Sequence, residues 1–197
     1  MAVLADGVWA HPELPLPPDS AILLQVLVDH AGVLWFSVSE RAHETAPGED
    51  MEQGAHIWRW DGAAWQTYDW ESPRGNPMVA PPMLLEQGDP PQLWALNDET
   101  VARYDAQADA LITIPEPATG RAGMPSSAVV TRDGSLWIGT WDQGAFRLRY
   151  DTAEGTATWE QYTPLDGLAG QSVHSMLEDS AGVLWLVTDA GLSRFER

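Results

Sequence analysis

The chain has 197 residues, 44% of them hydrophobic, with 29 acids against 10 bases and a net charge of −19. That is enough apolar material for a packed core and excludes a disordered chain, while the negative field argues against nucleic acid or a membrane as partner. There is no cysteine and every base is Arg, which excludes thiol nucleophiles, disulfides, Cys-bound zinc, phosphate-binding lysines and lysine Schiff bases.

From the N-terminus, Met1–Trp9 lacks the basic head and long apolar run of a signal peptide or membrane helix. As written the chain reads as unexported, although a domain cut from a larger exported protein would look the same. Asp6-Gly7-Val8-Trp9 reads as the start of a strand. Next comes Asp29-His-Ala-Gly-Val-Leu-Trp35, which recurs as Asp179-Ser-Ala-Gly-Val-Leu-Trp185, with weaker copies ending at Trp94 and Trp137. An Arg-aromatic-acid marker follows each copy at Arg59, Arg103, Arg149 and Arg194, spaced about 45 residues apart, the period of a four-stranded propeller blade.

Within a period, short alternating runs are separated by Gly, Asp and Pro turns, as in an antiparallel meander. In the third unit the predicted strands A to D are Ser127–Arg132, Ser135–Thr140, Ala145–Tyr150 and Thr158–Tyr162. The Asp-Gly or Ala-Gly pair before each Leu-Trp makes the tight A–B turn, where glycine supplies a left-handed backbone. The chain stops where the fourth unit needs its D strand, and Asp6-Gly-Val-Trp9 repeats the D-strand pattern of Asp61-Gly-Ala-Ala-Trp65. The expectation is an all-β propeller, a single domain 1–197 of four four-stranded antiparallel blades. Their limits are about 21–70, 78–115, 126–163 and 171–197, the last completed by a strand over 6–12 that pairs with Leu192–Glu196, within the chain or across a dimer.

The segment Val173–Phe195, with Asp166-Gly167-Leu168 before it, resembles the two-component regulator propeller repeat. The shared features are a hydrophobic strand, Asp-x-x-Gly-x-Leu-Trp, a Thr, Gly-Leu and an Arg-aromatic pair. Units three and four follow it, whereas unit one has Val38 and unit two Asn97 where Thr140 and Thr188 stand. The resemblance implies a sensor or interaction domain, often extracytoplasmic and joined to a histidine kinase; nothing in this chain resembles the kinase.

A meander puts the B–C and D–A connections on one face of the disc, where functional loops gather. Unit one has a long acidic B–C insertion, Glu40–Gln53, which reads as a solvated loop, or as a lid with carboxylates for a cation; it lacks calcium-loop spacing. Of the eleven Trp residues, the four in Leu-Trp motifs and Trp9, Trp65 and Trp159 read as packing. Trp70 and Trp141 fall outside the repeat, in a D–A and a B–C connection. The expected ligand-binding set is Trp70, Trp141, Asp142, Arg41, His43, Asn97 and His174. The repeated Arg residues are expected to pair with acids of the neighbouring blade.

No hydrolase, zinc-protease or phosphate-loop motif occurs, so no catalytic residue, metal or cofactor is assigned. The reading is a non-catalytic ligand-binding or protein-interaction module for a small molecule, glycan or peptide. The alternative is a propeller lyase resembling virginiamycin B lyase, in which His43 and His174 would serve with a metal. Four blades must turn sharply to close, whereas two chains together would form an eight-bladed ring.

Overall fold

The computed structural model describes residues 3–5, 8–10, 21–40, 54–73, 80–88, 90–117 and 123–196. Among these residues, seventeen strands and one short 3₁₀ turn, Pro164–Asp166, make up the order. A hairpin of β1 (Val3–Ala5) and β2 (Val8–Ala10) comes first, followed by four meanders. Blade 1 is β3 (Ala21–Val28), β4 (Leu34–Glu40), β5 (Ala55–Trp60) and β6 (Trp65–Trp70). Blade 2 is β7 (Met83–Gln87), β8 (Gln92–Leu96), β9 (Val101–Asp105) and β10 (Ala110–Thr113). Blade 3 is β11 (Pro125–Val130), β12 (Leu136–Thr140), β13 (Ala145–Asp151) and β14 (Thr156–Tyr162). Blade 4 is β15 (Val173–Glu178), β16 (Leu184–Thr188) and β17 (Gly191–Phe195), three strands among the described residues.

The last strand differs from the sequence expectation. Val8–Ala10 pairs with Val3–Ala5 in the register Ala5↔Val8, and not with Leu192–Glu196. A two-residue connection costs little closure entropy, and Asp-Gly is the strongest short hairpin signal, so the local partner wins over one at the far end of the chain.

Cores lie between blades, because each sheet is apolar on both faces. Blade 1 meets blade 2 through Trp35, Ile57 and Trp70 against Leu84, Leu93 and Ala102. Blade 2 meets blade 3 through Leu85, Trp94, Leu96 and Ile114 against Leu136, Ile138 and Phe146. Blade 3 meets blade 4 through Val129 and Trp137 against Val173, Leu184 and Leu186. Polar clasps cross the same junctions. Gln25 donates to the Leu84 carbonyl and accepts from its N–H, both at 2.7 Å. Glu86 accepts from the His30 N–H at 2.7 Å and meets His30 Nδ1 at 2.6 Å, and its carboxylate raises the imidazole pKa. Glu178 receives the Arg132 N–H at 2.8 Å.

A further clasp is Asp109, on the turn between β9 and β10 with a left-handed φ of 50°. It accepts from Gln66 and Tyr68 of blade 1 at 2.6 and 2.8 Å and from Tyr104 at 2.7 Å. Those donors, Gln66 first, hold its pKa down at about 2.

Blades 1 to 4 therefore form an arc. Its end faces are not packed on each other among the described residues; apolar side chains at both ends face solvent, while Phe36, Val38 and Trp58 on the outer face of blade 1 form a buried cluster of their own.

Candidate functional site

The repeated residues build the scaffold. In blades 1 and 4 the Asp of the motif caps the A–B turn with one oxygen and holds the motif Trp with the other. Asp29 Oδ1 takes the N–H groups of Ala31 and Val33, and Oδ2 takes Trp35 Nε1, each at 2.9 Å. Asp179 does the same for Ala181, Val183 and Trp185, at 2.8, 3.0 and 2.8 Å, and those bonds lower its pKa, Trp185 contributing most. Trp94, in the divergent second unit, finds no such acceptor among the described residues.

Opposite the Trp on the C strand stands an Arg: Arg59, Arg103, Arg147 and Arg194. The third member is thus Arg147, not Arg149. Three of these guanidinium groups lie 5.6–5.8 Å from their own blade's Trp ring, while Arg103 faces Tyr150 of blade 3. Their acid partners belong to their own blades, which corrects the expected cross-blade pairing: Asp61, Asp105, Asp133 and Glu196 respectively, with Glu160 shared by Arg147 and Arg149. A guanidinium sandwiched between a ring and a carboxylate within one sheet stiffens the blade.

The end of strand B also has a structural task. Thr140 Oγ1 donates to the Gly144 carbonyl and accepts from the Gln143 N–H, both at 2.9 Å, and Thr188 closes its turn onto Gly191 and Ala190 in the same way. Asn97 replaces them by accepting from Glu99 and Thr100 at 3.0 and 2.8 Å while donating to the Ala80 carbonyl at 2.8 Å.

Against this scaffold a cleft of about 520 Å³ opens where strands β3, β7 and β11 converge, at the end that carries the B–C and D–A connections. Leu24, Pro81, Pro82, Met124, Pro125 and Ala128 make apolar walls, and Asp98 stands on the rim. Ser37 lines it as well. Its side chain is buried, and its hydroxyl has no hydrogen-bond partner among the described residues. An unpaired buried hydroxyl carries an uncompensated desolvation cost.

Beside the cleft a second surface continues the same face. Trp141 is 51% exposed, and its ring centroid lies 5.4 Å from that of His174. Met124 joins the two, since its carbonyl takes the Trp141 N–H at 3.2 Å while its side chain lines the cleft. The Asp142 carbonyl accepts from Gln171 at 2.7 Å, and its carboxylate lies close to Gly123.

The predicted residues divide accordingly. Trp141, Asp142 and His174 stand together on the shelf, with His174 at a bulge that three A strands share, at Leu24, Ser126 and His174. Asn97 borders the cleft but is buried and occupied by its turn. Trp70 is not in a connection: it ends β6 opposite Ala55, is 5% exposed, and belongs to the core between blades 1 and 2. Arg41 and His43, with most of the acidic insertion, lie outside the described residues. Among the described residues no three His, Asp or Glu side chains gather as a metal site. Sequence reasoning missed Ser37, Met124 and the Pro81-Pro82 wall; the two prolines just before an A strand are the one legible hint.

Residues 167–190, running from the end of the 3₁₀ turn through strand B of blade 4, match the family profile for the two-component regulator propeller. Blade 4 thus carries the two-component regulator propeller repeat. No curated protein matches it in sequence. Among solved structures it is similar to a B. thetaiotaomicron extracellular domain attributed to a one-component system, at 12% identity and a TM-score of 0.50, covering 94% of this chain and 28% of that one. A second B. thetaiotaomicron extracellular domain, attributed to a hybrid two-component system, matches at 17% and 0.54, covering 89% and 24%. A surface component of the type-IX secretion system of Porphyromonas gingivalis matches at 16% and 0.55, covering 88% and 26%. These likenesses carry the propeller fold, and the chain spans about a quarter of the length of each.

Proposed function

We propose that this regulator propeller is a non-catalytic recognition module whose ligand enters the cleft between blades 1, 2 and 3 and extends over the Trp141–His174 shelf. The observation that carries this reading is the buried Ser37 hydroxyl, unpaired among the described residues and set in an apolar cleft whose volume suits a side chain or small ligand. Apolar walls, one hydrogen-bonding group at the base and a half-exposed indole beside it suit an uncharged or cationic ligand. An extended peptide with an apolar side chain fits, as does the apolar face of a neutral sugar. Anionic ligands are opposed by the net charge of −19. The repeat and the extracellular domains it resembles support a sensor role outside the cytoplasm, with the output domain elsewhere.

The test is a calorimetric screen of cationic and neutral peptides and neutral glycans against wild type, Ser37→Ala and Trp141→Ala. A binder should lose several-fold to about tenfold in affinity on Ser37→Ala, the worth of one neutral hydrogen bond, and at least as much on Trp141→Ala. Binding unchanged in both variants would place the site elsewhere.

A further inference from the structure

The two ends of the arc are complementary to each other. Cross-strand partners share a face of the sheet, so Leu23, Val26 and Val28 lie on the face of blade 1 that points away from blade 2, with Trp60 and Trp65. On blade 4 the face away from blade 3 carries Leu177, Trp185, Val187 and Leu192. Val26 and Val28 are 60% and 61% exposed, Leu177 and Leu192 64% and 59%. Internal blades bury these positions, whereas on this face of blade 1 Phe36, Val38 and Trp58 are buried and Leu23, Val26 and Val28 stay open.

Two of the three internal junctions indicate what should cover them; between blades 2 and 3 the corresponding position is Leu148. The motif Trp packs edge-on against the aromatic after the next blade's Arg: Trp35 on Tyr104 at 4.7 Å and Trp137 on Phe195 at 4.9 Å. Trp35, Trp94 and Trp137 are buried, whereas Trp185 is only partly so. At the other end Trp60 occupies the position of Tyr104 and Phe195 and is also partly exposed. The junction chemistry also alternates. Blades 2 and 4 carry Glu86 and Glu178 at the end of strand A, gripping the turn before them, while blade 3 carries Val130 there, lying against the Gly88 turn. Val28 is the blade 1 counterpart of Val130, so a blade 4 placed before blade 1 would meet a valine there, as blade 2 does at blade 3.

We propose that the occupant is a second copy of this chain, blade 4 of each copy packing on blade 1 of the other to close an eight-bladed ring. The faces differ from each other and fit head to tail, which closes as a pair only if the rotation completes the circle, as two half-rings do. The contact is continuous with the three blade junctions inside the chain.

One pair of positions tests it directly. A Cβ placed on Gly139 would lie 3.0 Å from that of Val173 across the junction of blades 3 and 4. Their counterparts at the open ends are Val187 and Leu23, both exposed. The chain holds no cysteine, so a Leu23→Cys/Val187→Cys variant offers a single kind of pair within disulfide reach. Light scattering of the wild type should give twice the chain mass of 21.6 kDa. The oxidised double variant should run as a linked pair of chains on a denaturing gel, and neither single variant should link. A wild type that stays at 21.6 kDa at every concentration overturns the proposal. So do single variants that link as well as the double, a link within one chain, or a ladder of higher multiples.

Discussion

Ser37 and the tryptophans show how much of the site is decided by single side chains. A hydroxyl buried without a partner destabilises the fold, so Ser37→Ala should melt at or above wild type while binding ligand more weakly. A fall in both would make Ser37 a structural residue. Among the tryptophans, Trp137→Ala should cost about 3–5 kcal/mol in urea denaturation, and Trp70→Ala a comparable amount, because both lie in cores between blades. Trp141→Ala should cost far less. Sequence reading had separated Trp70 from the core because nothing at its position recurs in the other units. The register explains the miss: β6 runs on to pair Trp70 with Ala55, on the face turned to blade 2, and a repeat comparison cannot see a strand that is longer in one blade only. Trp141 was legible for the complementary reason, standing just beyond a strand whose end Thr140 fixes.

At the scale of strands and turns, the Asp-x-x-Gly-x-Leu-Trp motif was legible because one carboxylate serves both a turn and an indole, a geometry that only this spacing satisfies. Asp179→Ala removes three acceptor contacts and should cost about 1–3 kcal/mol by chemical denaturation; an unchanged midpoint would contradict the clamp. The Arg register was not legible, since Arg147 and Arg149 lie two apart and so face the same side of β13, and spacing alone cannot choose between them. The Asp109 clasp between blades 1 and 2 makes an acid prediction. Its folded pKa of about 2 lies below the ordinary 3.8, so its stabilisation is present above pH 4 and is lost as pH falls toward 2. Asp109→Asn, which tolerates the left-handed backbone, should lower the melting temperature at pH 7, and the gap to wild type should shrink between pH 4 and pH 2. A gap independent of pH would mean that the carboxylate charge is not what holds Tyr68 and Tyr104.

For the whole molecule, the period and the meander were legible from repetition, while closure was not. Closure depends on the angle between blades and on what the end faces meet, and the local hairpin of β1 and β2 took the strand that the sequence pattern offered to blade 4. The cleft was legible only by location, since its walls come from three A strands distant in sequence and from connections that do not repeat. The central claim, recognition on that face, is tested most directly by amide hydrogen exchange with and without the tightest binder from the screen. The account predicts new protection at 80–85, 96–98, 124–128 and around Trp141. Protection confined to the A–B turns at 29–33, 131–135 and 179–183, on the opposite face, would contradict it.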